Sequence, residues 1–389
     1  MKYKIIFTFL VVLILTYPFT VIFQNQNIYF SKGYESRYDS LKSAYGSSQY
    51  ADKNHKGVML DEALESFAGG IFLKGINPVL IHHDQPPMGR YIIALSILLF
   101  DNEKTIPLFL LFISALGIYL VSRLVIKNKY LALIPLGIFI NQPMFIHKLT
   151  FIPLLEPIQL PFIIFAIYTF IIGVKKKNYI PWFIITAILI GFVISIRYFV
   201  LGAALTSSFF LYLLLQKKFR MLLSLGFSLA FSLIVLLLSY FQTFHAGYSL
   251  IKVLGIQKYI LVYHKSAFTQ TFSYWDLLLF NRWHTWWGNY SISSDPEWSI
   301  LWPISVLIIL AFLFFVLRNN IKLNSADLIL LLWIGVYSVM LSVGYTSTRY
   351  FLPLIPFIYI LATSFMVRLI NYFFTNHHRK VSPSSTRRV

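Results

Sequence analysis

Long apolar runs recur along this chain and limit what it can fold into. The first run spans Ile5 to Phe23, and similar runs follow as far as residue 370. About 20 apolar residues in a helix are enough to cross the hydrocarbon core of a bilayer. Hydrophobic residues make up 58% of the 389 residues and charged residues only 12%, which is too apolar for a soluble domain. We therefore predict an all-α polytopic membrane protein.

The hydropathy pattern predicts about ten transmembrane helices. Their approximate bounds are residues 5–23, 105–122, 130–146, 152–174, 180–196, 198–215, 221–240, 299–317, 327–344 and 350–370. A single helix over residues 180–215 would be about 54 Å long against about 30 Å of hydrocarbon, so we predict a hairpin with Arg197 at its turn. The apolar part of residues 86–100 is too short to cross, and we predict a helix lying at the outer interface there.

The distribution of positive charge sets the predicted orientation. With both termini in the cytoplasm, 18 of the 33 Lys and Arg residues fall on the cytoplasmic side, together with a single acid, Asp327. This bias is typical of cytoplasmic loops, so the net charge of +19 reflects topology and does not indicate a nucleic-acid partner. We predict a multi-pass protein of the plasma (inner) membrane that contacts membrane lipids.

This orientation also predicts the domain organisation. Residues 1–370 form one transmembrane domain with two large external segments, 24–104 and 241–298, and residues 371–389 form a basic cytoplasmic tail. The chain has no cysteine, which excludes disulfides, thiolate nucleophiles and cysteine-bound zinc.

Ionisable side chains from distant parts of the sequence are predicted to gather on the outer side. They are Asp61, Glu62 and Asp84 in the first external segment, Glu156 at the start of the fourth span, Arg197 at the hairpin turn and Arg349 at the start of the last span. Each has an ordinary structural explanation; a helix dipole, for example, favours Glu156 in a first turn, and a boundary arginine reaches the headgroups. Their convergence on one side is what indicates a site.

Five segments carry a resemblance to a known family. They are "LDEALESFAGGIFLKG" after the first span, "DQPPMGRYIIAL" at residues 84–95, "HKLTFIPLLEPIQLPFIIFAIY", "SIRYFVLG" and "TRYFLPLIPFIYILA". Together these segments resemble the GT-C glycosyltransferases that use polyprenyl-phosphate sugars, among them the protein O-mannosyltransferases and the aminoarabinose transferases. The resemblance covers roughly residues 5–215 and 340–365.

The resemblance implies an inverting hexosyl- or pentosyltransferase with its active site facing outward. It would move a sugar from a polyprenyl-phosphate donor to an envelope acceptor, which is a lipid, a glycan or a protein hydroxyl. The roles it implies are Asp61 as catalytic base, Glu62 orienting the acceptor or sharing that role, Arg197 and Arg349 on the lipid phosphate, Asp84 and Glu156 lining the site, and His83 bonding the sugar or phosphate.

Two features depart from that pattern or stay open. The relatives carry His or Glu-Lys before the two prolines, whereas this chain has Asp84-Gln85, so Arg90, Arg197 or Arg349 would have to supply the missing positive charge. No cofactor is certain from the sequence, and it leaves open a divalent metal at Asp61, His82, His83, Asp84 and Glu156, whose spacing matches no strong metal motif. The alternative function is a non-enzymatic membrane protein such as a flippase for lipid-linked sugars or a transporter.

Overall fold

The computed structural model describes residues 2–52, 54–265, 270–285, 291–319, 322–344 and 346–381, and most of them are helical. The first helices are α1 (Lys2–Gln24), α2 (Gln26–Phe30), α3 (Tyr34–Gly46), α4 (Asp61–Leu73), α5 (Met88–Phe100) and α6 (Thr105–Val125). The central helices are α7 (Leu133–Ile140), α8 (Pro143–Thr150), α9 (Leu155–Gly173), α10 (Ile180–Ile196), α11 (Val200–Leu215), α12 (Phe219–Ser228) and α13 (Ala230–Ser239). The last helices are α14 (Phe241–His245), α15 (Leu250–Lys265), α16 (Ser273–Phe280), α17 (Leu301–Arg318), α18 (Ser325–Ser342) and α19 (Ile355–Val381).

The remaining regular structure that is described is short. Strand β1 (Trp283–His284) pairs antiparallel with β2 (Ile292–Ser293). Short 3-10 helices cover Pro78–Leu80 and Thr348–Phe351. Residues 286–290, in the aromatic run of the second external segment, lie outside the described residues.

Seven stretches of the described chain are helical, long and apolar enough to cross a membrane. They are Tyr3–Gln24, Thr105–Val125, Leu155–Gly173, Phe219–Ser239, Leu301–Arg318, Ser325–Ser342 and Ile355–Tyr372. The predicted all-α polytopic fold is therefore confirmed, while the count of ten spans is not. The hairpin at residues 180–215 is present, with helices of 17 and 16 residues that are shorter than the other spans.

The predicted span at residues 130–146 is two short helices in the structure. Helix α7 ends at Ile140 and α8 begins at Pro143. Proline fits the first turn of a helix, where its missing N–H would have no partner, but it disrupts a helix interior. The hydropathy pattern did not distinguish one long helix from two short ones on either side of a break.

Glycines let the helices of the first external segment approach the ends of α9 and α10. A Cβ added at Gly89, near the start of α5, would lie 2.6 Å from a Leu155 side-chain carbon and 3.0 Å from one of Ile196. A Cβ at Gly69 in α4 would lie 2.6 Å from a side-chain carbon of Ile93 in α5. Because real Cβ atoms essentially never come that close to other atoms, any larger residue at these positions would force its neighbours to shift. This packing places α4 and α5 beside the first turn of α9 and the last turn of α10.

Candidate functional site

A cavity of about 820 Å³ lies where these helix ends meet, and we call it the polar cavity. It is bounded by α4 and the loop before it, the α8–α9 connection, the turn between α10 and α11, and the 3-10 helix Thr348–Phe351. Six of the predicted site residues line it: Asp61, Glu62, Asp84, Glu156, Arg197 and Arg349. Residues separated by up to 288 positions therefore share one cavity.

Four of these side chains form a continuous series of ion pairs, which we call the ion-pair chain. Arg197 Nη1 lies 2.9 Å from Glu156 Oε1, and Arg349 Nε lies 3.4 Å from the same oxygen. Arg349 Nη1 then lies 2.6 Å from Asp61 Oδ2. Glu156 is only 5% exposed, so its charge is buried between two guanidinium groups. Two cations and two anions balance each other inside the cavity.

Tyr350 holds the two arginines side by side. The guanidinium carbon of Arg197 is 5.1 Å from the centre of the Tyr350 ring, and that of Arg349 is 5.2 Å away. An aromatic face attracts a cation, and arginine binds there more often than lysine. The ring and the Glu156 carboxylate together offset the repulsion between two neighbouring positive charges.

The Asp61 carboxylate is engaged through both of its oxygens. Tyr50 OH donates to Oδ1 at 3.0 Å, and Arg349 donates to Oδ2. Burial alone would raise the Asp61 pKa, but the Arg349 charge and the two hydrogen bonds outweigh it and hold the pKa below its usual value. Glu62 also lines the cavity, and its carboxylate forms no ion pair or hydrogen bond with the part of the chain that the structure describes.

The two histidines of "HHDQPP" take different positions. His82 lines the polar cavity; its Nε2 lies 2.9 Å from Asp84 Oδ1, and its ring lies 4.5 Å from that of Tyr50. His83 is not among the described residues that line the cavity, and its ring lies 4.6 Å from Tyr259 of α15. Burial, followed by the nearby His82, lowers the His83 pKa. The predicted role of His83 on the sugar or phosphate stays a prediction.

Gln85 occupies the position where the resemblance predicts a cation. Its side-chain amide donates to Asp84 Oδ2 at 3.3 Å, and its Oε1 accepts from the backbone N–H of Tyr198 at 3.0 Å. Gln85 is 9% exposed. A neutral amide thus joins the "HHDQPP" loop to the turn that carries Arg197, which a lysine ammonium could not do because it accepts no hydrogen bond.

Arg90 lies beneath the cavity and does not line it. It is 1% exposed and forms a two-point contact with Glu65, with Nε 2.8 Å from Oε2 and Nη2 3.1 Å from Oε1. Its Nη1 donates to the His82 carbonyl at 2.7 Å. All three guanidinium nitrogens are therefore occupied within the protein. This placement supports a positioning role for Arg90, joining α4, α5 and the histidine loop.

The sequence interpretation missed several residues of the cavity wall. Tyr50 bonds Asp61, and His147 and Lys148 line the cavity from α8. The side chains of His147 and Lys148 both contact the buried Glu297. Lys148 lies just before the predicted fourth span, on the side where the acids gather. That position could have identified it as a residue of the site. Nothing in the sequence links it to Glu297, which lies 149 positions away.

A second cavity of about 560 Å³ adjoins the first, and we call it the apolar pocket. Most of its wall comes from aliphatic and aromatic side chains of α11, α15 and α18 and of the residues that flank α11 and α18. It shares Gln85, Arg197 and Tyr350 with the polar cavity. One arginine of the ion-pair chain therefore stands at the boundary between a polar and an apolar space.

The described residues contain no group of three or more His, Asp or Glu side chains arranged to hold a metal ion. The side chains considered as possible metal ligands contact other side chains of the protein instead. Asp61 and Glu156 contact arginines, and His82 contacts Asp84.

Comparison with known proteins agrees with this architecture. The chain is similar both to one family model and to solved structures of membrane proteins. Residues 84–242 match the family model described as dolichyl-phosphate-mannose-protein mannosyltransferase. The structure of ArnT from Cupriavidus metallidurans in the apo state matches with a TM-score of 0.62 and 15% identity, over 95% of this chain and 62% of that one. The same protein bound to undecaprenyl phosphate matches with a TM-score of 0.55 and 17% identity, over 82% of this chain and 57% of that one.

These matches confirm the predicted resemblance to the GT-C glycosyltransferases. The chain has the ArnT-like fold and spans about 62% of the length of ArnT. A search of curated proteins finds no match.

Proposed function

We propose that this protein is an integral-membrane glycosyltransferase that moves a sugar from a polyprenyl-phosphate donor to an acceptor hydroxyl. The reaction takes place on the extracytoplasmic side of the plasma membrane and inverts the anomeric centre. The acceptor is an envelope lipid, glycan or protein hydroxyl. The observation that carries the proposal is the ion-pair chain, which lines the polar cavity and reaches the boundary with the apolar pocket at Arg197.

The two cavities fit the two ends of such a donor. Its polyprenyl chain occupies the apolar pocket and its sugar the polar cavity, which puts the phosphate at the boundary beside Arg197. A guanidinium group stays charged and binds phosphate oxygens through two parallel hydrogen bonds. A similar fold binds undecaprenyl phosphate in ArnT, which supports a lipid phosphate as the ligand here.

The transfer is a single displacement. The acceptor oxygen attacks the anomeric carbon, and Asp61 takes the acceptor proton as general base. The bond between the anomeric carbon and the phosphate oxygen breaks, and the electron pair leaves with the polyprenyl phosphate. Arg197 and Arg349 stabilise the negative charge that develops on that oxygen. A single displacement with one base and no enzyme nucleophile inverts the configuration.

Arg349 connects donor binding to the base. Before donor binds, its guanidinium contacts both Asp61 and Glu156. A donor phosphate competes for that guanidinium and draws it away from Asp61 Oδ2. Tyr50 continues to hold the other oxygen, so the carboxylate keeps its orientation while the released oxygen becomes available to the acceptor. Glu62 lies beside it on α4 and orients the acceptor.

Mass spectrometry of envelope lipids and glycans with and without the gene tests this function. We expect one glycosylated species to disappear and to return when the wild-type gene is supplied but not when Asp61→Asn is supplied. Purified protein should also consume a synthetic undecaprenyl-phosphate sugar without any nucleotide. If Asp61→Asn restores the species as well as the wild type does, the protein acts as a flippase or transporter and the enzymatic proposal fails.

A further inference from the structure

We propose that Lys148 forms a second oxyanion subsite in the polar cavity, which binds a phosphate group of a substrate. This inference rests on the proposed function for the identity of the substrates. Lys148 lines the cavity and is only 4% exposed. Its Nζ lies 2.7 Å from Glu297 Oε1, and neither residue is a member of the ion-pair chain.

The Lys148 ammonium has donors to spare. An ammonium carries three N–H donors, and the bond to Glu297 is its one hydrogen bond within the described residues. Arg90, the other deeply buried cation of this region, uses all three nitrogens on protein oxygens. A buried cation with unused donors is costly unless another partner completes it. Because Lys148 lines the cavity, an oxyanion bound there can accept the remaining hydrogen bonds.

Glu297 is an ionised counter-ion placed behind Lys148. Glu297 is 5% exposed and does not line the cavity, so the negative charge sits behind the wall and the ammonium in front of it. Burial alone would raise the Glu297 pKa, but His147 and Lys148 outweigh it and hold the pKa below its usual value. Glu297 is therefore ionised at neutral pH and faces Lys148 as a carboxylate.

The turn at Asp295 links the Lys148 subsite to the ion-pair chain through hydrogen bonds. The backbone N–H of Glu297 donates to Asp295 Oδ1 at 2.8 Å, and Thr348 donates to Asp295 Oδ2 at 3.0 Å. Thr348 directly precedes Arg349. The end of the second external segment thus fixes both the counter-ion of Lys148 and the residue next to Arg349. Lys148 also lies close enough to Glu156 for their charges to interact.

Phosphate is the ligand chemistry that fits these features. Three cations, Lys148, Arg197 and Arg349, line the same cavity, and a tetrahedral oxyanion accepts several charge-assisted hydrogen bonds at once. Two sources are available: the phosphate of the donor lipid, or a phosphate carried by the acceptor. A binding experiment separates them.

The first measurement is the affinity of purified full-length protein in detergent for undecaprenyl phosphate. Lys148→Met should weaken binding about tenfold if the donor phosphate is the ligand, since a charge-assisted hydrogen bond is lost. Lys104→Met is the matched control, because Lys104 is a partly buried lysine near Glu103 that does not line the cavity. The control should bind like the wild type.

The second measurement is the binding of inorganic phosphate to protein already saturated with undecaprenyl phosphate. If Lys148→Met binds the lipid normally but loses the added phosphate, the subsite serves a phosphate on the acceptor. If Lys148→Met changes neither affinity, Lys148 is a structural ion pair and the proposal is overturned.

Glu297→Gln keeps the proposal testable if Lys148→Met folds poorly. Removing the counter-ion leaves Lys148 more dependent on a ligand, so the affinity for the same phosphate ligand should rise several-fold. A purely structural pair predicts unchanged or weaker binding instead. These affinities are measured without turnover. If they follow the proposal while no sugar is transferred, the subsite stands and the proposed function fails.

Discussion

Arg349 Nη1 lies 2.6 Å from Asp61 Oδ2. The residue proposed to bind the donor phosphate and the proposed catalytic base therefore neutralise each other before any substrate is present. The two residues are 288 positions apart in the chain. Their pairing means that the free protein holds a weakened base. It also means that anything drawing the guanidinium away makes the carboxylate more basic.

The first prediction concerns the pH dependence of transfer. In the free protein, Arg349 holds the Asp61 pKa below its usual value, so the base stays ionised to a lower pH. Once the donor phosphate binds Arg349, the arginine no longer lowers the Asp61 pKa as strongly. The effect of burial then raises the Asp61 pKa. Since kcat/KM for the donor reports the free protein and kcat the bound complex, the acid limb of kcat should lie at higher pH. Coincident acid limbs would show that Arg349 does not leave Asp61.

The second prediction separates binding from chemistry at Asp61. Asp61→Asn should lower kcat by about 10² to 10⁴, the usual contribution of a general base. Its affinity for undecaprenyl phosphate should be equal to or higher than that of the wild type, because Arg349 no longer has a charged partner there. Titration of the lipid against purified protein measures this. Weaker lipid binding by Asp61→Asn contradicts the competition between carboxylate and phosphate.

The third prediction concerns the shape of the Arg349 side chain, which is proposed to bind the donor phosphate. Arg349→Lys keeps the positive charge but loses the planar fork that reaches Asp61, Glu156 and phosphate together. We expect a loss of at least about tenfold in kcat/KM, and a larger loss in Arg349→Met. Arg318→Lys, in the last turn of α17, is a matched control that should behave like wild type. Wild-type kinetics of Arg349→Lys would remove Arg349 from the phosphate site.

The fourth prediction tests the positioning role of Arg90. Arg90→Met leaves the Glu65 carboxylate buried without its partner, which typically costs about 3–5 kcal/mol, and should sharply lower the unfolding temperature in detergent. The double variant Arg90→Met/Glu65→Leu removes both charges and should recover most of that loss. If Arg90→Met unfolds like wild type but no longer binds undecaprenyl phosphate, Arg90 is a ligand residue instead.

The fifth prediction concerns Gln85. Gln85→Leu removes the acceptor of the part-buried Tyr198 N–H, and the loss of such a hydrogen bond costs about 0.5–1.5 kcal/mol. The turn bearing Arg197 should loosen, raising KM for the donor more than it lowers kcat. Gln85→Glu keeps an acceptor for Tyr198 but sets a carboxylate against Asp84, so it should also weaken binding. A wild-type KM for the donor in both variants would show that the hydrogen bond between Gln85 and Tyr198 is not needed for donor binding.

Much of the site could be predicted from the sequence because membrane topology limits where charges can go. Glu156 and Arg197 were assigned to helix ends on one side, and the structure places their side chains 2.9 Å apart. Arg349 required the same argument for the last span. These predictions used hydropathy, the distribution of positive charge and the cost of placing a charge within the bilayer, and the family resemblance supplied the roles.

The remaining features depend on packing that the sequence does not encode locally. Arg90 looked available for phosphate because its partner Glu65 lies 25 positions earlier, in a helix whose orientation was unknown. His82 and His83 are adjacent, yet only a fold decides which ring faces the cavity. Lys148 looked like an ordinary loop lysine until Glu297 came to lie behind it. Pro143 marks the break between α7 and α8, but the hydropathy of residues 130–146, averaged over the whole segment, did not show it.

The boundary shared by Gln85, Arg197 and Tyr350 has a consequence for how turnover ends. In the proposed transfer, the spent carrier would keep its chain in the apolar pocket, whereas the new glycoside would lie in the polar cavity. Because the two products would occupy different spaces, release of one would not require release of the other.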